Sequence, residues 1–288
     1  MKPASRFDPV WMLAPTLLVL VLFFFYPLAL AFVHSLTEWD LLRPARYVGF
    51  ANYRALLTSA AFYEVLLTTL TVSVTSVAGS MLVGLLLALA VNRAGRMAAF
   101  VRSSVFSAYV VSWVSVALLW LWLLDADAGL VSGAARALGL ARVGVLADPL
   151  TAPYALAFVI VWKISGYAMV LFLGGLQAVP NSVLEAAALD GAGRAARFFH
   201  VTLPLLAPTV AFVGTTSLIL TFQAFDVVRV MTQGGPVRAT TVFVYSIYEQ
   251  MFMDLRVGRA SAEVVLFFLI LMALTSLQLW AFRRRGAV

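Results

Sequence analysis

The chain has 288 residues, of which 63% are hydrophobic and only 11% are charged. A soluble globular chain is nearer half apolar and a quarter charged, and the mean hydropathy here is +0.98. This composition excludes a disordered chain, a collagen and an ordinary soluble enzyme. There is no cysteine, so a disulfide framework and a thiolate metal site are excluded. The two histidines are far apart in the sequence, which argues against a histidine metal centre.

Six apolar runs of about 20 residues recur along the chain, and each can cross a hydrocarbon core of roughly 30 Å as a helix. We therefore predict an all-α polytopic membrane protein, with a single transmembrane domain over residues 1–288. The predicted spans are roughly 11–33, 65–91, 100–124, 153–179, 209–231 and 262–282.

The first apolar run has a second interpretation. Lys2 and Arg6 precede it, and the Ala-Leu-Ala run at 29–31 is typical of the cleavage site of a signal peptide. The apolar run at 11–33 is, however, longer than the usual core of a signal peptide. We therefore predict a retained membrane span.

The basic charge is concentrated on one side of the predicted spans. If the N-terminus is cytoplasmic, the cytoplasmic stretches are 1–10, 92–99 with its flank, 180–208 and 283–288, and they hold ten basic and three acidic residues. Basic residues in short loops and tails on one side are the positive-inside signal. The pattern predicts cytoplasmic N- and C-termini, and it excludes nucleic acid as the partner of the basic charge.

One long polar segment, 180–208, lies between the fourth and fifth spans. Ser182 followed by Glu185 predicts a helix start with a capping box, and Gly191 predicts a left-handed helix end. A second helical stretch is predicted over 193–200, ended by the Leu-Pro pair that follows. The segment is therefore predicted to be a helix–turn–helix at the cytoplasmic surface. Composition alone leaves open whether it binds a partner or is only an interfacial connector.

Spaced motifs carry a family resemblance. The polar segment reads Glu185-Ala186-Ala187, then Gly191 after three residues, then Val201-x-Leu203-Pro204 after nine more. Further motifs are Gly49-Phe50-Ala51-Asn52-Tyr53, Trp162-Lys163, Gly166-Tyr167, Phe222-Gln223-Ala224-Phe225-Asp226 and Met231-Thr-x-Gly-Gly-Pro236. The first set resembles the EAA loop of binding-protein-dependent ABC importer permeases. The motif at 49–53 resembles the pattern of that family after the first span, and the other motifs resemble its carbohydrate-uptake branch.

The resemblance implies a type I ABC importer permease fold with six transmembrane helices, in a bacterial or archaeal cytoplasmic membrane. It implies a second homologous permease, an ATPase dimer that holds ATP and magnesium, an extracytoplasmic binding protein, and a solute such as a sugar, glycerol 3-phosphate or a glycerophosphodiester. The resemblance implies a transport subunit, with no catalytic residue, metal or cofactor expected in the chain itself. Neither of its two lysines follows a glycine-rich phosphate loop, so ATP is expected to be hydrolysed by a separate subunit.

The resemblance also implies which residues couple the chain to the ATPase, although a role for Glu185 in helix capping alone stays open. The coupling residues are Glu185, Ala186, Ala187, Asp190, Gly191, Leu203 and Pro204.

Intramembrane polar groups are candidates for the solute path, because a charge at the bilayer centre costs roughly 2.5–3.5 kcal/mol on insertion scales. Lys163 and Tyr167 share a face of the fourth span, and Gln223 and Asp226 share a face of the fifth. These residues are predicted to line the path or to serve structure. In the structural interpretation, a neighbouring subunit's carboxylate neutralises Lys163, and Asp226 pairs with Arg229.

The sequence departs from its relatives at two places. The third span lacks the Leu-Pro common after Phe106, which predicts a straighter helix there. Arg259 replaces a common tyrosine at the start of the sixth span, and with Glu263 at i+4 it predicts a pair on one helix face. The remaining alternative is a secondary transporter driven by an ion gradient. Such a protein would show repeats or several intramembrane acids, whereas Asp226 is the only acid assigned to a span.

Overall fold

The computed structural model describes residues 8–139, 144–222 and 224–284, and most of them are helical. The helices are α1 (Asp8–Leu20), α2 (Tyr26–Ser35), α3 (Ala51–Leu57), α4 (Ala60–Val91), α5 (Arg96–Val110), α6 (Trp113–Leu123), α7 (Leu130–Ala137), α8 (Ala152–Ala178), α9 (Asn181–Leu189), α10 (Arg194–Arg197), α11 (Leu203–Leu205), α12 (Ala207–Phe222), α13 (Phe225–Met231), α14 (Phe243–Tyr248) and α15 (Val257–Arg284). There are π-helical turns at Val21–Phe25, Phe198–Thr202 and Glu249–Met253, and an antiparallel pair of strands, β1 (Thr37–Glu38) and β2 (Arg46–Tyr47).

Four uninterrupted helical segments of the described chain are long and apolar enough to cross a membrane. They are Leu13–Ser35, Ala60–Val91, Ala152–Ala178 and Val257–Gln278. These segments correspond to the first, second, fourth and sixth predicted spans. Two further pairs of helices meet the same criterion only when each bent pair is taken as one span. When each bent pair is counted as one span, the total equals the predicted six spans.

The predicted third span, 100–124, is broken in the middle. α5 and α6 meet with a bend of 100°, because Val111 and Ser112 are extended, with ψ near 143° and 141°. The expected straight stretch at 106–108 does lie within α5. The expectation of one continuous third helix is nevertheless wrong, because the chain turns a few residues later without any proline.

The predicted fifth span, 209–231, is also divided. α12 ends at Phe222 and α13 begins at Phe225, with Ala224 at a non-helical ψ of 52°. The predicted helix end at Leu203-Pro204 is wrong as well. Pro204 lies in the first turn of α11, where a missing N–H is tolerated. The helical segment therefore runs on to Leu205 before it bends by 66° into α12.

Contacts within the chain group it into two compact units, whereas the sequence predicted a single domain over 1–288. The first unit comprises the N-terminal residues to Phe62 with Ser246–Leu269. The second comprises Tyr63–Tyr245 with the residues from Ile270 onward.

Hydrogen bonds link the segment after α2 in the smaller unit to α3 and to the start of α15. The Val257 N–H donates to the Trp39 carbonyl at 2.9 Å. The side-chain amide of Asn52 on α3 donates to the Thr37 carbonyl at 2.8 Å. A Cβ at position 258 would overlap that same Thr37 carbonyl, so glycine is required where the two segments meet.

α8 is the central helix of the larger unit. Its membrane-spanning window is 67% buried within the chain, against 28% for α4, and it contacts α5, α6, α12 and α13. Small residues let other helices approach α8 closely. Gly84 of α4 faces Ala168 of α8, and Gly166 of α8 faces the Val105 carbonyl of α5. Membrane helices associate through such small residues, because lipid offers no hydrophobic driving force between helices.

Gly166→Ala is expected to destabilise the protein, because the added Cβ would overlap the backbone carbonyl of Val105, which cannot rotate away. Overpacking of this kind typically costs about 1–3 kcal/mol. Gly174→Ala in the same helix is the matched control, since nothing lies within 4 Å of its added Cβ. Thermal unfolding of the purified chain in detergent should show a lower midpoint for the first variant alone. Equal midpoints would contradict this packing of α5 on α8.

Candidate functional site

α9 carries most of the residues predicted to couple the chain to an ATPase. It begins at Asn181, with Pro180 as the capping residue and no side-chain hydrogen bond to the cap. The predicted capping box of Ser182 and Glu185 is therefore wrong. Proline has no N–H for a glutamate to accept from, and Ser182 already lies inside the helix. The interpretation that Glu185 serves only as a helix cap is therefore also wrong.

The C-terminal end of α9 has the predicted left-handed turn. Gly191 adopts φ +83°, and its N–H donates to the Ala188 carbonyl at 3.1 Å. The next N–H, of Ala192, donates to the Ala187 carbonyl at 3.0 Å. These two bonds form a Schellman motif, which needs a glycine-like residue at this position. Asp190 is the last residue before the turn.

The outer surface of α9 is uncovered within the chain. Glu185 and Ala186 are exposed, and Leu189 is 89% exposed. Glu185 and Leu189 are four residues apart and so lie on one face of the helix. The sequence did not single out Leu189, although a leucine among the polar residues of a predicted surface helix was an available signal. Farther along the segment, Leu203 is half-buried and Pro204 is exposed.

Lys163 lies on α8 and is only 1% exposed. Its ammonium donates hydrogen bonds to the backbone carbonyls of Ala108 (3.4 Å), Tyr109 (3.0 Å) and Val111. These carbonyls belong to the end of α5 and the residue after it, where a helix leaves C=O groups without intrahelical partners. We predicted a neighbouring subunit's carboxylate as the structural partner. The structure instead provides carbonyls of the same chain.

Aromatic rings surround the Lys163 ammonium. It lies 4.8 Å from the centre of the Trp113 ring and 5.9 Å from that of Tyr109, distances at which a cation is attracted to a ring. Tyr167 stacks on Tyr109 with ring centres 4.9 Å apart. Lys163 and Tyr167 are thus brought together at the break in the third span. The sequence did not indicate Tyr109 or Trp113 as site residues, because nothing in it predicts a break between them.

The other two path candidates belong to the divided fifth span. Asp226 is half-buried at the start of α13, and α13 packs against α6 and α8. Gln223 lies outside the described residues. The assignment of both residues to the solute path therefore stays a prediction.

Glu263 is a buried acid within the bounds of the predicted sixth span, 262–282, although only Asp226 is assigned to a span in the sequence analysis. It lies on α15 and is 1% exposed. Its Oε2 accepts hydrogen bonds from Ser246 Oγ (3.2 Å) and from Gln250 Nε2. Asp226 is therefore not the only acid in a spanning helix. Among the described residues, no three His, Asp or Glu side chains are grouped so that they could hold a metal ion.

The smaller unit also contains a polar cavity of about 690 Å³. The backbone N–H of Arg43 donates to Asp40 Oδ1 at 2.8 Å and holds the pKa of that carboxyl below its usual range. Arg259 Nε is buried and has no hydrogen-bond partner in the described part of the chain. The charged residues that line the cavity are Glu38, Asp40, Arg43, Arg46, Asp254, Arg256 and Arg259.

Comparison with known proteins decides the family. Residues 80–286 match the family described as binding-protein-dependent transport system inner membrane component. The chain belongs to this family. The matched region contains the third to sixth predicted spans and the whole of the polar segment 180–208.

Curated relatives of this inner membrane component extend over nearly the whole chain. The sn-glycerol-3-phosphate transport system permease protein UgpA of Agrobacterium fabrum is 33% identical over 280 residues, covering 95% of this chain and 94% of the relative. The sulfoquinovosyl glycerol transport system permease protein SmoG of the same species is 32% identical over 283 residues, covering 98% and 92%. The prediction of an ABC importer permease is confirmed, and these relatives do not support a transporter driven by an ion gradient.

A solved structure shares the fold of this inner membrane component. The bacterial alginate ABC transporter in complex with alginate pentasaccharide-bound periplasmic protein matches with a TM-score of 0.81 and 24% identity, over 97% of this chain and 96% of that one. The predicted importer permease fold is therefore confirmed.

Gln223→Ala and Asp226→Ala are each expected to raise the KM of solute uptake by this permease, or to change its solute range, without loss of complex assembly. The physical reason is that each removes one hydrogen-bonding group from the predicted path. Asp226→Glu, which keeps the carboxylate, is the matched control. Uptake assays together with co-purification of the complex provide the measurement. Failure of the alanine variants to assemble would favour a structural role.

Proposed function

We propose that this permease imports a small carbohydrate-type solute, such as a sugar, glycerol 3-phosphate or a glycerophosphodiester, into the cytoplasm. The observation that carries the proposal is the near-complete alignment with permeases named for sn-glycerol 3-phosphate and sulfoquinovosyl glycerol. Transport would proceed by alternating access, in which rigid groups of helices rock around a central site. Uptake of labelled candidate solutes by the reconstituted complex tests the proposal, and uptake of none of them would overturn the solute class.

A second homologous permease completes the path in this proposal. Six spans enclose too little space to pass a sugar alone. The first span supports this inference, because none of the 18-residue apolar window within Leu13–Ser35 is buried within the chain. The residues of that window are therefore available to lipid or to another subunit.

The ATPase is a separate dimer in this proposal, and it holds ATP and magnesium. Support comes from the sequence, in which neither lysine, Lys2 or Lys163, follows the glycine-rich loop of a P-loop ATPase. The basic residues of segments 92–99 and 180–208 support a cytoplasmic position for the termini and for α9. The exposed face of α9, with Glu185 and Leu189, would then insert into a cleft of the ATPase.

Gly191→Pro is expected to abolish both solute uptake and stimulation of the ATPase, while membrane insertion stays intact. Proline cannot adopt φ +83° and has no N–H to donate to Ala188, so the turn that ends α9 is lost. Gly193→Ala is the matched control. Gly193 has φ −64°, and nothing lies near its added Cβ, so this variant should retain activity. Normal uptake by Gly191→Pro would disprove the coupling role.

The extracytoplasmic binding protein is the remaining partner. The loops after the first and fifth spans face it in the proposed topology, and both contribute to the polar cavity. Arg256 is exposed and lines this cavity. A carboxylate of the binding protein would pair with its guanidinium group, because Arg binds carboxylates with paired hydrogen bonds.

Arg256→Glu is expected to raise the binding-protein concentration for half-maximal ATPase stimulation by roughly three- to tenfold, since exposed charge pairs contribute about 0.2–1 kcal/mol and reversal adds repulsion. The ATPase rate without binding protein should not change. Arg54→Glu is the control, because Arg54 is exposed in the same loop region but does not line the cavity. Equal stimulation curves for the two variants would remove the cavity from the docking surface.

A further inference from the structure

We propose that Lys163 is a positioning residue that holds the break in the third span, and that it does not bind the transported solute. An ammonium group has three N–H donors and no acceptor. Three carbonyls, those of Ala108, Tyr109 and Val111, surround the ammonium of Lys163. No donor is left for a solute hydroxyl or phosphate, and the side chain is 1% exposed.

The break requires such a group. Where α5 ends at Val110, its last carbonyls have no partner in the next turn, because Val111 and Ser112 are extended. Inside a membrane no bulk water replaces the missing partners, and each unsatisfied group is costly. The C-terminal end of a helix also carries a partial negative charge that favours a cation. A buried lysine on the neighbouring helix meets both requirements at once.

The ammonium contacts the helices on both sides of the break. It donates to the end of α5, and it lies over the ring of Trp113, the first residue of α6. One side chain of α8 therefore connects the two halves of the third span. The angle of 100° between them depends on that connection.

The angle between α5 and α6 matters for transport because α6 also contacts an element of the predicted solute path. α6 packs against α13, the short helix on which Asp226 lies. Tyr109, whose ring centre is 5.9 Å from the same ammonium, stacks on Tyr167. A change in the direction of α6 would thus move the elements that carry the predicted solute path. This part of the inference rests on the proposed import function.

The test uses distances between spin labels, for which the absence of cysteine in the chain is an advantage. Cysteines replace Met97 near the start of α5 and Trp122 near the end of α6, which are 75% and 53% exposed. From the helix rise, the two backbones are on the order of 25 Å apart when bent and almost 40 Å apart in a straight helix. Pulsed electron paramagnetic resonance of the labelled protein in nanodiscs distinguishes these values.

Lys163→Met should shift the distribution to longer distances or broaden it clearly, whereas Lys163→Arg should retain the bent distance. Uptake of sn-glycerol 3-phosphate by the complex should fall at least tenfold in maximal rate for Lys163→Met with KM unchanged, and Lys163→Arg should restore it. An unchanged distance would overturn the proposal, and an unchanged distance with a raised KM would make Lys163 a solute ligand.

If Lys163→Met does not yield folded protein, the distance measurement is made on Lys163→Gln instead. The glutamine amide keeps two N–H donors but carries no charge. A broader distribution than that of the unsubstituted protein supports the proposal, and an identical one overturns it. The label distance involves no solute. It therefore tests the role of Lys163 even if the proposed import function is wrong, in which case the uptake assay alone would fail.

Discussion

A membrane interior supplies no water to the backbone, so every interruption of a spanning helix must be satisfied by the protein itself. In this chain the interruption between α5 and α6 is satisfied by the ammonium of Lys163 and the carbonyls at the end of α5. Each group would be costly alone, an isolated charge in one case and unpaired carbonyls in the other. Together they make a sharp bend stable at the centre of the larger unit.

The position of α8 follows from the same requirement. A helix that supplies the buried ammonium must lie close to the break, and glycine at 166 allows that approach to α5. Ile160 and Ile164 lie close to Lys163 on α8, and both are fully buried. Their packing fixes the position from which the Lys163 side chain extends. α8 therefore orders two neighbouring spans, the broken third and, through α13, the end of the divided fifth.

The polar segment after α8 does not have to satisfy all of its backbone groups within the chain. In the proposed topology α9 lies outside the hydrocarbon, where water can satisfy the free N–H groups at its start. The helix has no side-chain cap, and Leu189 is uncovered. Such an exposed apolar group beside a rigid left-handed turn suits a surface that binds another protein. The permease thus combines a bend whose ammonium and carbonyls pair within the chain with a helix, α9, whose outer face is uncovered.

The sequence by itself determined the membrane class, the approximate spans and the left-handed turn at Gly191, because hydropathy and glycine conformation are local properties. It also marked Lys163 as an intramembrane charge, without deciding its role. It did not predict the bend at Val111, since no proline marks it and the side chain that stabilises it comes from a helix about 50 residues later. The capping box failed because Pro180 occupies the capping position. The burial of Glu263 against Ser246 and Gln250 was likewise decided by packing between segments. Only the tertiary structure brings together groups that are far apart in the chain, and it therefore decided where the spans break and which polar groups pair.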